Sequence, residues 1–103
     1  MRKIRSYGEL ERMAAREKAL LVYFADSSCG VCAADEPRAE RLAAEMGIPA
    51  VLVEISAVRE AAGQLNVFTV PAVLLLAGGR EYHRQARFID FDELRKRMAE
   101  LCS

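Results

Sequence analysis

The pattern of apolar and polar stretches predicts an α/β fold: a central mixed sheet of four or five strands, with helices on both faces. Three observations carry this. Apolar runs alternate with helix-forming stretches in the order α-β-α-β-α-β-β-α. Leu20–Ala25 and Ala50–Ile55 are almost entirely apolar, as strands covered on both faces of a parallel sheet are. The last two strands are separated only by Gly78-Gly79, a two-residue hairpin signal that makes them antiparallel.

Taken in order, Lys3–Arg5 is a candidate short first strand. Ser6 followed by Glu9 forms a capping-box pattern. A helix then runs to about Lys18, with Tyr7, Leu10, Met13 and Ala14 near one face. After Leu20–Ala25, the residues from Ala33 onward are rich in helix formers. Pro37 lies among them, so it either bends the helix or begins it. Gly47 ends this helix and Pro49 stops it. Ala50–Ile55 contains one anomaly, Glu54. Ser56 is placed to cap a short helix reaching about Leu65. Phe68–Ala77 is the third apolar stretch, with Pro71 at the strand head, where a missing N–H does least harm. Arg80–Phe88 is more polar and reads as an edge strand. Asp90 and Glu93 repeat the capping pattern and open a last helix to about Leu101.

The chain has 103 residues, which suits one domain, residues 1–103, with a modest core. Acidic and basic side chains balance at 15 each, so no global basic field points to nucleic acid. No apolar run approaches the roughly 18 residues of a membrane span. Met1-Arg2-Lys3-Ile4-Arg5 is basic, but Ser6-Tyr7-Gly8-Glu9 follows where a signal peptide needs apolar residues. The expectation is a cytoplasmic monomer without membrane or nucleic-acid partners. In a reducing compartment, its three cysteines point to chemistry rather than a disulfide framework.

Cys29-Gly30-Val31-Cys32 follows the Leu20–Ala25 strand and leads into a helix. Such a pair is either half of a zinc site or a redox dithiol. The remaining ligand candidates, Cys102 and His83, are distant in sequence, so the redox reading is favoured and neither metal nor cofactor is expected. Cys29 stands at or just before a helix N-terminus, where backbone N–H groups and the helix dipole favour a thiolate. For thiols in general, lowering a pKa from about 8.5 to about 7 raises the thiolate fraction at pH 7 about sixteenfold. Intrinsic nucleophilicity falls about fivefold, so the larger benefit is an easily displaced sulfur. His83 reads as a solvated edge-strand side chain or a docking contact. Cys102 reads as a spare thiol or an intermolecular disulfide partner. Arg12, Arg16, Arg38 and Arg41 read as solvated helix faces. Asp26 and Asp35, flanking the dithiol, read as screened surface charges.

Together these features resemble the thioredoxin family over most of the chain. The resemblance rests on Cys29-Gly30-Val31-Cys32 after an apolar strand, and on Pro37 five residues beyond Cys32. It also rests on Thr69-Val70-Pro71 before a strand, and on the Gly78-Gly79 hairpin with its final helix. It implies a thioredoxin fold, Cys29 as nucleophile, Cys32 as shielded resolving thiol and Pro71 in cis facing the dithiol. It also implies that the Val70 backbone holds a substrate strand, with Ser28, Gly30 and Val31 beside it. Protein disulfides would be the substrates and a thiol reductase the electron donor. The implied function is a thiol–disulfide oxidoreductase that reduces protein disulfides. The alternatives are a thioredoxin-like binding module with little turnover, a glutaredoxin-like activity, or a metal-binding protein. The chain departs from the family at several places. Val31 replaces a proline, and Ser28 replaces a tryptophan. Tyr23 stands where the family has a buried carboxylate, Glu54 where it has a lysine, and Arg87 where it has a glycine. Glu54 and Tyr23 are therefore expected to swap the family's arrangement. Glu54 would be a desolvated carboxylate hydrogen-bonded by Tyr23 and able to take a proton from Cys32. Alternatively, Glu54 reaches solvent at the strand end.

Overall fold

The computed structural model describes residues 1–102. The elements are β1 (Arg2–Lys3), α1 (Tyr7–Arg16), β2 (Ala19–Ala25), α2 (Gly30–Glu45), β3 (Ala50–Glu54), α3 (Arg59–Gln64), β4 (Ala72–Ala77), β5 (Arg80–Ala86) and α4 (Phe91–Cys102). The five strands form one sheet in the order β1-β3-β2-β4-β5. β3 is parallel to β1 and β2, whereas β4 is antiparallel to both β2 and β5. The expected mixed sheet is present with five strands, the first covering Arg2–Lys3 rather than Lys3–Arg5.

Strand alternation separates two cores, because successive side chains leave a strand on opposite faces. From β2, Leu20, Val22 and Phe24 join Val51, Val53, Leu74 and Leu76 beneath Leu10 and Met13 of α1 and Ala61 of α3. Leu21, Tyr23 and Ala25 point the other way. They meet Cys32, Ala39, Leu42 and Ala43 of α2, and Leu94 and Met98 of α4. Helices therefore cover both faces, and β2 is buried along almost its whole length. Burying one large aliphatic side chain contributes roughly 1.5–3 kcal/mol, so these two layers hold β2 and the residues that follow it in place.

Local signals explain most boundaries. Ser6 accepts the Glu9 N–H at 3.1 Å, and Asp90 accepts the Glu93 N–H at 3.0 Å. Gly47 adopts φ +69° just after α2. Gly78 and Gly79 adopt φ +58° and +79°, as a tight hairpin turn with left-handed central residues requires. α2 runs continuously through Pro37, so the helix does not begin there. The strand with Pro71 at its head begins at Ala72, as expected, and Phe68 before it is exposed. Two expectations are corrected. Ser56 does not cap α3, whose N-cap is Val58 with no side-chain hydrogen bond. The expected Arg80–Phe88 strand ends at Ala86 because Arg87 takes φ +72°, a left-handed conformation that leaves the pleat.

Candidate active site

The end of β2 brings three segments together. Ala25 pairs with Glu54 of β3 on one side. On the other, Phe24 pairs with Ala72, which sets Pro71 beside the residues leading to Asp26. The chain then turns, with the Cys29 N–H donating to the Asp26 carbonyl at 3.0 Å, and enters α2. The third segment is tied to the second: the Arg87 N–H donates to the Pro71 carbonyl at 2.8 Å. The Val70–Pro71 peptide is cis, as expected. The Val70 backbone makes no hydrogen bond among the described residues.

Cys29 is the N-cap of α2, and its sulfur accepts the Cys32 N–H at 3.1 Å. Cys29 and Cys32 are joined as a disulfide, with Cα atoms 5.3 Å apart. Their environments differ. Cys29 is partly exposed at the end of the helix, whereas Cys32 is only 1% exposed and belongs to the core. Ser28, Gly30 and Val31 are exposed around Cys29, and Val31 retains 54% of its surface.

Tyr23 and Glu54 do not form the expected pair. Tyr23 is fully buried, and its hydroxyl donates to the Cys32 carbonyl at 2.7 Å. Burial, reinforced by the negative charges of Asp35 and Glu36, pushes its phenol well above the ordinary tyrosine range, so the hydroxyl stays a neutral donor. Glu54 is at the end of β3, where the Lys3 ammonium lies 3.4 Å from its carboxylate and a quarter of the side chain is exposed. The physical reason is the strand's end position: Glu54 reaches a cation and water there, whereas Tyr23 reaches a carbonyl directly above it. Glu54 nevertheless lines the same cavity of about 200 Å³ as Cys29 and Cys32, together with Lys3, Asp26 and Glu36.

The remaining candidates lie away from the dithiol. Cys102 is an exposed thiol 3.4 Å from the Met46 carbonyl. His83 is not simply solvated. It is partly buried on β5 against Gln85 at 2.9 Å, and burial, then Arg97, lowers its pKa. Among the described residues, no group of three or more His, Cys, Asp or Glu could hold a metal ion. No helix among the described residues is long and apolar enough to cross a membrane. Sequence reasoning missed the Tyr23–Cys32 bond. The available signal was a lone hydroxyl in an otherwise apolar strand, since a buried tyrosine oxygen needs a partner.

The thioredoxin family model matches residues 7–100. The chain belongs to the thioredoxin family. Thioredoxin-like protein YdfQ of Bacillus subtilis is 33% identical over 97 residues, spanning 92% of this chain and 86% of that protein. A thioredoxin from Halobacterium salinarum superposes with a TM-score of 0.91 at 22% identity, covering 99% of this chain and 90% of that one. Fasciola hepatica thioredoxin gives 0.87 at 24% identity, covering 97% and 98%. These two structural likenesses bear on the fold. The family match and the paired cysteines at the head of α2 make this thioredoxin-family protein a thiol–disulfide oxidoreductase.

Proposed function

We propose that this thioredoxin-family protein reduces protein disulfides, with Cys29 attacking and Cys32 resolving. The observation that carries the reading is the asymmetry between the two sulfurs: one caps a helix at the surface and the other is buried. In the reduced protein, the Cys29 thiolate attacks one sulfur of the substrate disulfide. The other substrate sulfur leaves as a thiolate and takes up a proton. Cys32 then loses its proton and attacks Cys29, releasing the second substrate thiolate, which is also protonated. The substrate gains two electrons and two protons, and the Cys29–Cys32 disulfide is formed. A thiol reductase of the cytoplasm would return the electrons.

The second attack is intramolecular, so proximity raises its rate. Pro71, next to Ala72 in register with Phe24, stands at the strand end from which the chain runs to the dithiol. The unpaired Val70 backbone offers a donor and an acceptor to an extended substrate strand, beside Ser28, Gly30 and Val31. Glu54, one of three carboxylates that line the cavity of Cys32 together with Asp26 and Glu36, takes the Cys32 proton in this reading. Tyr23 holds the first turn of α2 to the sheet through the Cys32 carbonyl.

The test is turnover on a protein disulfide with dithiothreitol as electron source. The native protein should accelerate reduction catalytically, and Cys29→Ser should not. Accumulation of a stable mixed disulfide without turnover would replace this reading with that of a binding module.

A further inference from the structure

The substrate side of the site carries a cation with nothing to neutralise it. Arg87 is exposed, and its guanidinium has no hydrogen-bond or ion-pair partner among the described residues. Its neighbour in the same cavity, Arg84, is already engaged by both oxygens of Glu81 and by the carbonyls of Leu65 and Asn66. Arg87 is also fixed in position, because its N–H is bonded to the Pro71 carbonyl. Its backbone at φ +72° is one that an arginine adopts only at a cost. A strained, tethered and uncompensated arginine therefore stands one residue's reach from the free Val70 backbone.

Its surroundings are apolar. Phe68, Thr69, Val67, Ala72 and Ala86 line, with Arg87, a cavity of about 360 Å³. Phe68 keeps 79% of its surface exposed and Phe88, next to Arg87, keeps 89%. The cavity lined by Cys29 and Cys32 is different: it carries the carboxylates of Asp26, Glu36 and Glu54 against the single ammonium of Lys3. Arg87 thus lies on the Pro71 side and the carboxylates on the β3 side, in two separate cavities, of which the second is the one lined by Cys29 and Cys32.

We infer that Arg87 is a specificity-determining residue, selecting disulfide-bonded polypeptides that carry an acidic side chain beside the reacting cysteine on the Pro71 side. This rests on the disulfide-reductase reading and names its substrate class. A substrate strand aligned on Val70 brings its flanking side chain to Arg87, while Phe68 and Phe88 cover apolar parts of the same segment. A glutamate or aspartate there pairs with a guanidinium that is otherwise unpaired. A lysine there meets like charge.

The test uses three disulfide-linked peptides that differ only in glutamate, glutamine or lysine flanking the cysteine. Rates are divided by those of dithiothreitol alone with the same peptide, which removes differences in intrinsic disulfide reactivity. At low ionic strength kcat/KM should fall from glutamate to glutamine to lysine by about threefold per step, the scale of a solvent-exposed ion pair. The differences should shrink at about 0.5 M salt. Arg87→Lys should keep the order, and Arg87→Glu should invert it. Equal normalised values for the three peptides, or an Arg87→Glu protein that still prefers glutamate, would overturn the inference while leaving the reductase reading intact. A native protein that reduces none of the peptides would defeat both.

Discussion

Replacing Tyr23 by phenylalanine removes one oxygen and leaves the ring. The ring is fully buried between β2, α2 and α4, so its packing is retained and the transfer contribution hardly changes. What is lost is the hydroxyl bond to the Cys32 carbonyl at 2.7 Å. A typical intramolecular hydrogen bond contributes a net 0.5–1.5 kcal/mol, about 1 kcal/mol in the middle of that range. The Cys32 carbonyl lies in the first turn of α2, so losing the tyrosine donor leaves a buried acceptor with less than its full complement of partners. For a domain of this size about 1 kcal/mol corresponds to roughly 4–8 °C in Tm. The assay is thermal unfolding of the oxidised protein, followed by circular dichroism. Tyr23→Phe should unfold several degrees below the native protein. An unchanged or raised Tm would show that the hydroxyl does not anchor α2, and would refute the account of why a tyrosine occupies this position.

Three further outcomes are expected. Arg87→Gly should raise stability by about 0.5–1 kcal/mol in denaturant unfolding, because glycine reaches φ +72° without the steric cost, less the greater freedom of its unfolded chain; a destabilised variant would contradict this. His83 should titrate below 6.5 by NMR, since burial and then Arg97 oppose its protonation. The unfolded state then binds the proton more readily, so this group's contribution to stability falls as pH drops from 6.5 through its folded pKa, and a midpoint above 6.5 would reverse that sign. Glu54→Gln should slow resolution of a mixed disulfide most near neutral pH, with the difference closing as Cys32 ionises unaided at higher pH; an unchanged profile removes Glu54 from the reaction.

Much of the framework was readable from residue patterns because it follows from local rules. The Ser6 and Asp90 caps, the Gly78-Gly79 turn and the apolar β2 each depend on neighbours in sequence or on bulk burial. The cysteine pair was legible for the same reason: it follows a buried strand and caps the helix that starts beside it. What escaped depends on contacts across the fold. Tyr23 and Glu54 lie on neighbouring strands, and adjacency in the sheet suggested a bond between them. In the register observed, Tyr23 pairs with Leu52 and Glu54 with Ala25, so the two side chains are offset along the sheet. A helix carbonyl is nearer to the one, and Lys3 on β1 nearer to the other. Likewise, Arg87 read as strand because its side chain gives no sign of a positive φ. That conformation is set by the hydrogen bond to Pro71, sixteen positions earlier in the chain.

The central claim is that Cys29 is the attacking sulfur and Cys32 the buried, resolving one. It is tested most directly by trapping. Each cysteine is replaced by serine in turn, the remaining thiol is left free, and the protein is mixed with a disulfide-bonded protein substrate. Cys32→Ser should accumulate a mixed disulfide through Cys29, and alkylation at neutral pH should modify Cys29 first in the reduced native protein. Cys29→Ser should accumulate none and react slowly at Cys32. Trapping by both variants alike, with equal alkylation of the two thiols, would contradict the assignment.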